Sequence, residues 1–369
     1  MQNSHGFAAP GYEGVLDLFE AHLAADPQYS AQVAAYRDGV KVVDLFGGPH
    51  STADSITRVY SVSKGVAALV ISLLVQDGLL DLDRTVAHYW PEFGVHGKDG
   101  LLVREALSHQ AGLIGVEGGF ALDEFTTSRA AARLAAERPA WRPGSCFGYH
   151  ALTIGIIMEE LCRRVAGSSL QGLYDQRIRT AYGIDFFLGL PEELEPRYRD
   201  VIYDVDILQP WLDPLSLDGL NSNAAVSSIM ELPNQRTVRA TGMSAAGGVG
   251  TAEGLARLYA ATITGVDGQA PLLTHATVSV MSQEQVWGLD RMSGLDNAFA
   301  VVFMKPHVSR NFGSHRAFGH EGANAALGFA DPAYGLGFGY IPQRAEDGRT
   351  QGKAHRLAAE VRGAASALS

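Results

Sequence analysis

In residues 12–25, YEGVLDLFEAHLAA, the apolar side chains Val15, Leu16, Phe19 and Leu23 recur at helical spacing and fall on one face. The spacing predicts an amphipathic helix that opens the chain and packs on a sheet. Next, QVAAYRDGVKVVDLFGG holds two β-rich runs joined by Asp38-Gly39, a dipeptide suited to the positive φ angles of a tight hairpin turn. An antiparallel sheet is expected to begin there. VYSVSKGVAALVISLLVQDGLL then passes from a short β-like run into a long apolar helix ending near Gly78, which puts Ser61 at the strand-to-helix entry.

From residue 79 to 240 the periodicity is mostly helical, as in REALSHQ, SRAAARLAAE and ALTIGIIMEELCRRVAG, with Pro and Gly in the connections. A helical lobe is the expectation. After GMSAAGGVG, a helix around TAEGLARLYAATI precedes β-type runs at AFAVVFMK and GLGFGYIP, which are expected to share the sheet of the opening hairpin. The last stretch, GKAHRLAAEVRGAASAL, spaces Leu357, Val361 and Ala365 by four, so helices from both chain ends should flank that sheet. The fold class is therefore α/β (α+β): an antiparallel sheet with flanking helices plus a mostly helical lobe.

Composition fits a folded enzyme. The 369 residues suffice for about two domains, or one with a large inserted lobe. With 46% hydrophobic and 19% charged residues, neither disorder nor a fibrous repeat is suggested. A formal net charge of -11 argues against nucleic acid as a partner, because that binding runs on clustered Lys and Arg. The longest apolar stretch, Val66 to Val75, is about half of a bilayer span. The start, MQNSHGFAAPGYEG, lacks the basic and apolar regions of a signal peptide, so no membrane partner and a cytoplasmic location are expected. Oligomeric state is open.

Cys146 and Cys162 are the only cysteines, and their spacing matches neither a zinc pattern nor a redox CxxC. Two reduced, half-buried thiols are expected, with Cys146, close to Tyr149 in sequence, a site for inactivation by thiol reagents. The twelve His form no ligand cluster either, and phosphate-loop and dinucleotide motifs are missing, so no metal and no cofactor are expected.

Ser61-Val62-Ser63-Lys64 is the single S-x-x-K. On a helix, that spacing brings hydroxyl and amine to one face. A serine hydroxyl needs a base to become a good nucleophile, and a lysine enclosed at an apolar helix start can lose its charge through burial. The Ser61 backbone N–H, at the helix N-terminus, is free to face a developing oxyanion. In WRPGSCFGYH, Tyr149 precedes an apolar helix; taken alone it reads equally as a core tyrosine. His320-Glu321-Gly322, the single H-x-G, is followed by small residues that would let a substrate lie along a strand edge, although a lone histidine is more often a satisfied core or surface residue.

Ser-x-x-Lys near residue 60, Tyr near 150 and His-x-Gly near 320, in this order, resemble the serine β-lactamase and penicillin-binding-protein superfamily, and most of all its family VIII carboxylesterases. LSHQAGL at residues 107–113 is similar to that family's usual LSHTSGL turn, and the resemblance covers essentially the whole chain. It implies an α/β lobe from residues 1–78 and 241–369, a helical lobe from 79–240, and an active site in the cleft between them. It further implies Ser61 as nucleophile, Lys64 and Tyr149 sharing the proton transfers, and the N–H groups of Ser61 and Ala323 as oxyanion hole. His320, Glu321 and Gly322 would line the substrate.

Two departures from the family pattern point to neutral esters. The lysine of the usual K-T-G is His320 here, and Glu321 replaces its threonine, so a cation is lost and an acid facing the cleft would repel carboxylates. Ala151 stands where the Y-x-N pattern has an amide that binds acylamino groups. The lack of an export signal agrees, since cell-wall peptides lie outside the membrane. No G-x-S-x-G or H-E-x-x-H occurs. A serine carboxylesterase acting on small short-chain esters is the reading; a β-lactamase, a D-alanyl-D-alanine carboxypeptidase or an acyltransferase of the same fold are its alternatives, and a non-catalytic binding protein a remote one.

Overall fold

The computed structural model of the chain describes residues 4–203, 212–227, 234–346 and 352–368; residues 204–211 and 228–233 of the expected helical lobe lie outside them. The chain opens with strand β1 (Ser4–Ala8), helix α1 (Glu13–Ala25), and the hairpin of β2 (Ala31–Arg37) and β3 (Val40–Gly47). Strand β4 (Thr57–Arg58) leads into helix α2 (Val62–Gln76), followed by α3 (Ser128–Ala136) and α4 (Thr153–Ala166). Strands β5 (Phe186–Phe187) and β6 (Val249–Gly250) precede helices α5 (Ala252–Ile263) and α6 (His275–Ser282). Then come a ribbon of β7 (Val286–Leu289) and β8 (Asp296–Phe299), strands β9 (Phe318–Glu321), β10 (Leu327–Asp331) and β11 (Leu336–Pro342), and helix α7 (Lys353–Ala367).

Asp38 and Gly39 turn the first hairpin with φ of 49° and 79°, the left-handed values that a two-residue connection needs. The main sheet runs β1-β3-β2-β11-β10-β9, antiparallel throughout. Pairing of β2 with β11 joins the two ends of the chain. Because β2 is central, both of its faces are buried: Ala34 and Tyr36 lie in the core shared with α2 and α5, while Val33 and Ala35 lie with α1 and α7. Helix α5 sits almost directly on the sheet. A Cβ on Gly337 or Gly339 of β11 would come within 2.4 Å of Ala256 O or 2.3 Å of Ala252 O, which is the physical reason for the alternating glycines of GLGFGYIP.

The expected helices α1, α2, α5 and α7 are present. In α1, Val15, Phe19 and Leu23 are buried and Leu16 half-buried. AFAVVFMK departs from expectation. Only its start is strand, and β8 pairs with β7 in a separate two-stranded sheet. Val302 has φ of 68°, which ends the extended run, and residues 300–303 are fully buried; their hydrophobicity serves the core rather than strand pairing. REALSHQ is a single turn, Val103–Ala106, and His109 at φ of 66° takes the chain out of it. Strand β1 gave no sequence signal because its middle residues are exposed at the sheet edge rather than alternating. No described helix is long and apolar enough to cross a membrane.

Candidate active site

The site begins at the turn from β4 into α2. Tyr60, just before Ser61, has φ of 48°, a strained value for a bulky residue that costs about 1–3 kcal/mol. Ser63 holds this turn: its hydroxyl donates to Tyr60 O at 2.5 Å and accepts from Gly248 N–H at 2.8 Å. The unassigned serine of S-V-S-K thus fastens the helix entry to β6. Ser61 is half-buried, and its backbone N–H meets no protein acceptor among the described residues.

Lys64 has no exposed surface. Its Nζ lies 3.0 Å from Ser61 Oγ, 2.7 Å from Ala151 O and 2.8 Å from Ala245 O. Burial drives its pKa well below the usual lysine value, and no carboxylate offsets that effect. An amine that donates to two carbonyl oxygens has one tetrahedral direction left, and here it points at the Ser61 hydroxyl.

Tyr149 lies on a segment outside any helix or strand that is clamped from both sides. Gly148 N–H donates to His109 O at 3.1 Å and His150 N–H to His109 Nδ1 at 3.0 Å. On the other side, Arg291 N–H donates to Phe147 O at 3.3 Å and Tyr149 N–H to Asp290 Oδ1 at 3.0 Å. The ring stacks on Phe299 and leans on His109, with Lys64 Nζ 4.9 Å from its centroid. Burial raises the phenol pKa above the ordinary tyrosine value, assisted by the Asp290 and Glu321 charges; a hydrogen bond with Ser61 and the charge of Arg310 act the other way.

The H-x-G triplet ends β9. His320 is buried, and burial followed by the nearby Lys64 lowers its pKa to about 3, so the ring is neutral. Its Nδ1 is 2.7 Å from Glu321 O and therefore carries the proton, which leaves Nε2 as a bare acceptor with no protein partner among the described residues. Gly322 has to be glycine, since a Cβ would lie 2.2 Å from Val59 O beside the Ser61 turn. Ala323 is exposed, and its N–H meets no protein acceptor among the described residues.

Glu321 is not the bare acid that the sequence suggests. Its carboxylate pairs with Arg310 and accepts from His355 Nε2 at 2.7 Å. Burial works to raise its pKa, but the His355 hydrogen bond and the Arg310 charge outweigh it and keep the group ionised. Its side chain is turned into this pair rather than left free.

Ser61, Lys64, Tyr149 and His320 are thus brought together. His109, Asp290, Phe299 and Arg310 also belong to the site, although only the LSHQAGL turn carried a sequence signal for any of them. His109 binds His150 N–H through Nδ1, so its buried Nε2 bears the proton. Both cysteines are free. Against the expectation of two half-buried thiols, Cys162 on the inner face of α4 is fully buried, with a thiol pushed up to about 12 by burial, whereas Cys146 is half-buried near Arg291. Among the described residues no group of three or more His, Cys, Asp or Glu is arranged to hold a metal ion.

Residues 17–362 match the family model described as Beta-lactamase. The chain is 31% identical over 365 residues to the Esterase/beta-lactamase LipL of Mycobacterium tuberculosis, covering 92% of this chain and 82% of that protein. The structure of EstA from Arthrobacter nitroguajacolicus Rue61a is 55% identical and superposes with a TM-score of 0.96 over 98% of both chains. A family VIII carboxylesterase is 28% identical, with a TM-score of 0.88 over 98% of this chain and 99% of that one.

Proposed function

The chain belongs to the β-lactamase family, and from that premise we propose a serine carboxylesterase that hydrolyses small neutral esters of short acyl chains through an acyl-enzyme on Ser61. The observation that carries this reading is the 3.0 Å approach of a fully buried, carboxylate-free Lys64 to Ser61 Oγ. Esterase names among the relatives, LipL and EstA, support it.

In the first step Lys64 Nζ takes the Ser61 proton as Oγ attacks the ester carbonyl, and the oxyanion that forms faces the Ser61 and Ala323 N–H groups. Such donors are worth roughly 3 to 4 kcal/mol because they are fixed before charge develops. As the tetrahedral intermediate collapses, the alcohol leaves with a proton delivered through Tyr149 and Lys64. Water then attacks the acyl-enzyme, gives a proton back along the same route, and releases the acid and free Ser61. The neutral His320, unlike a lysine, brings no charge to recruit a substrate carboxylate.

Residues 1–78 with 241–369 would form one lobe and 79–240 the other, with the reacting groups in the cleft. Contributions to the site from all three segments support this: Lys64 from the first, Ala151 from the middle, and Ala245 from the last. A cytoplasmic location belongs to the same proposal and is tested by cell fractionation. β-Lactam opening is the second reading, favoured by the double name of LipL.

The test is the initial rate on a short-chain p-nitrophenyl ester and on a chromogenic cephalosporin, for wild type and Ser61→Ala. Ester turnover lost in the variant, with slow or no cephalosporin opening, supports the esterase. Dominant cephalosporin opening would transfer the proposal to a β-lactamase, and undiminished activity in Ser61→Ala would remove the nucleophile.

A further inference from the structure

Tyr149 lies outside any helix or strand, so its reach to Ser61 depends on what holds residues 147–150. Asp290, at the end of β7, has no exposed surface. Its Oδ1 accepts from Tyr149 N–H at 3.0 Å, Met292 N–H at 2.8 Å and Ser293 N–H at 3.3 Å, and its Oδ2 from Asn297 Nδ2 at 3.0 Å. Four donors make a buried carboxylate tolerable. Two of them, Met292 and Ser293, belong to the turn between β7 and β8, the third is Asn297 of β8, and the fourth is the backbone of Tyr149.

We infer that Asp290 is a positioning residue for Tyr149, coupling the β7–β8 ribbon to proton transfer at Ser61. The ribbon holds Tyr149 at two points: Asp290 takes its main-chain N–H, and Phe299, the last residue of β8, stacks on its ring with centroids 5.8 Å apart and planes 16° apart. Without the carboxylate, Tyr149 N–H loses its acceptor and the turn loses its centre, leaving the ribbon side of the segment to the longer Arg291 N–H bond to Phe147 O and the Phe299 stack. A misplacement of about 1 Å in a reacting group costs on the order of a hundredfold in rate. Trp287 and Leu289, which alternate along β7 and are exposed, contribute to neither anchor; the coupling runs through Asp290 and Phe299.

The inference rests on the serine esterase reading. Its test compares kcat, KM and Tm for Asp290→Ala, Asp290→Asn and Asn297→Ala on p-nitrophenyl butyrate, with Ser61→Ala alongside. Asp290→Ala is expected to lose roughly a hundredfold in kcat with KM within about threefold. Asn297→Ala breaks the turn but leaves Tyr149 N–H bonded, so it should lower Tm and keep kcat within about threefold. Asp290→Asn retains an acceptor oxygen for Tyr149, so it should recover most of kcat despite a lower Tm. Full kcat in Asp290→Ala, or equal losses in Asp290→Ala and Asn297→Ala, overturns the positioning role. If Asp290→Ala does not fold, Asp290→Asn decides: kcat near wild type upholds the anchor and a loss matching that expected of alanine overturns it. Activity that survives Ser61→Ala would instead overturn the esterase reading beneath it.

Discussion

Lys64 Nζ lies 3.0 Å from Ser61 Oγ and gives its two other hydrogen-bonding directions to Ala151 O and Ala245 O. Once it has lost its proton, an amine so placed keeps its lone pair for the serine proton. Replacing Lys64 by Arg puts a permanent cation there and supplies no group that can accept a proton, since a guanidinium does not deprotonate. Lys64→Arg should therefore lower kcat for a p-nitrophenyl ester by about a thousandfold or more. Retained acyl-enzyme formation by stopped-flow burst would remove Lys64 from the base role.

The same burial fixes the sign of the pH dependence. In the proposed base role Lys64 would act only after losing its proton, so kcat/KM should fall as the pH drops through its folded pKa. Because that pKa lies well below the usual lysine value, the activity should reach its plateau well before the pH at which an exposed lysine titrates. A profile of kcat/KM against pH on a neutral ester checks this; an acidic limb at the ordinary lysine position contradicts it.

Glu159 of α4 accepts from Ser244 and Gln171, yet burial, the larger effect, raises its pKa to about 7. Between its unfolded value near 4.5 and about 7 the folded state holds a proton that the unfolded chain has released. Stability from this group therefore falls as pH rises through that window, and the full loss, on the order of 3 kcal/mol, applies above it. Glu159→Gln should gain Tm relative to wild type at about pH 8 and little at about pH 5. Equal differences at both pH values, by calorimetry, would contradict the assignment.

Glu321 balances Arg310 and His355 beside Tyr149. Glu321→Gln leaves the guanidinium without its counter-charge, a state that a substrate carboxylate relieves. The ratio of kcat/KM for p-nitrophenyl hemiglutarate over p-nitrophenyl butyrate should rise about tenfold in the variant. An unchanged ratio would mean that Glu321 has no part in charge selection.

The cysteines should differ in reactivity. Cys162 is buried with its thiol pKa near 12, and Cys146 is half-buried. A chromogenic disulfide should titrate one thiol in the native protein and both in denaturant, with mass spectrometry placing the native label at Cys146. Labelling of native Cys162 would contradict its burial.

By itself the sequence determined the longer helices, the opening hairpin and the order of the chemical groups. Helices α1, α2, α5 and α7, the Asp38-Gly39 hairpin and the S-x-x-K at the start of α2 were all legible, because periodicity and turn chemistry are local. Local pattern could not say where buried apolar runs go: residues 300–303 are as hydrophobic as a strand, but fill the core behind a turn. Nor could it predict the environment of a charge. Tertiary packing alone decided that Lys64 meets two carbonyl oxygens and no acid, that Glu321 meets Arg310 and His355, and that Asp290 reaches across 141 residues to Tyr149. The reason is physical: a helix or a turn is set by neighbours in the chain, whereas pKa values and hydrogen-bond partners of buried groups are set by whichever distant segments exclude water from them.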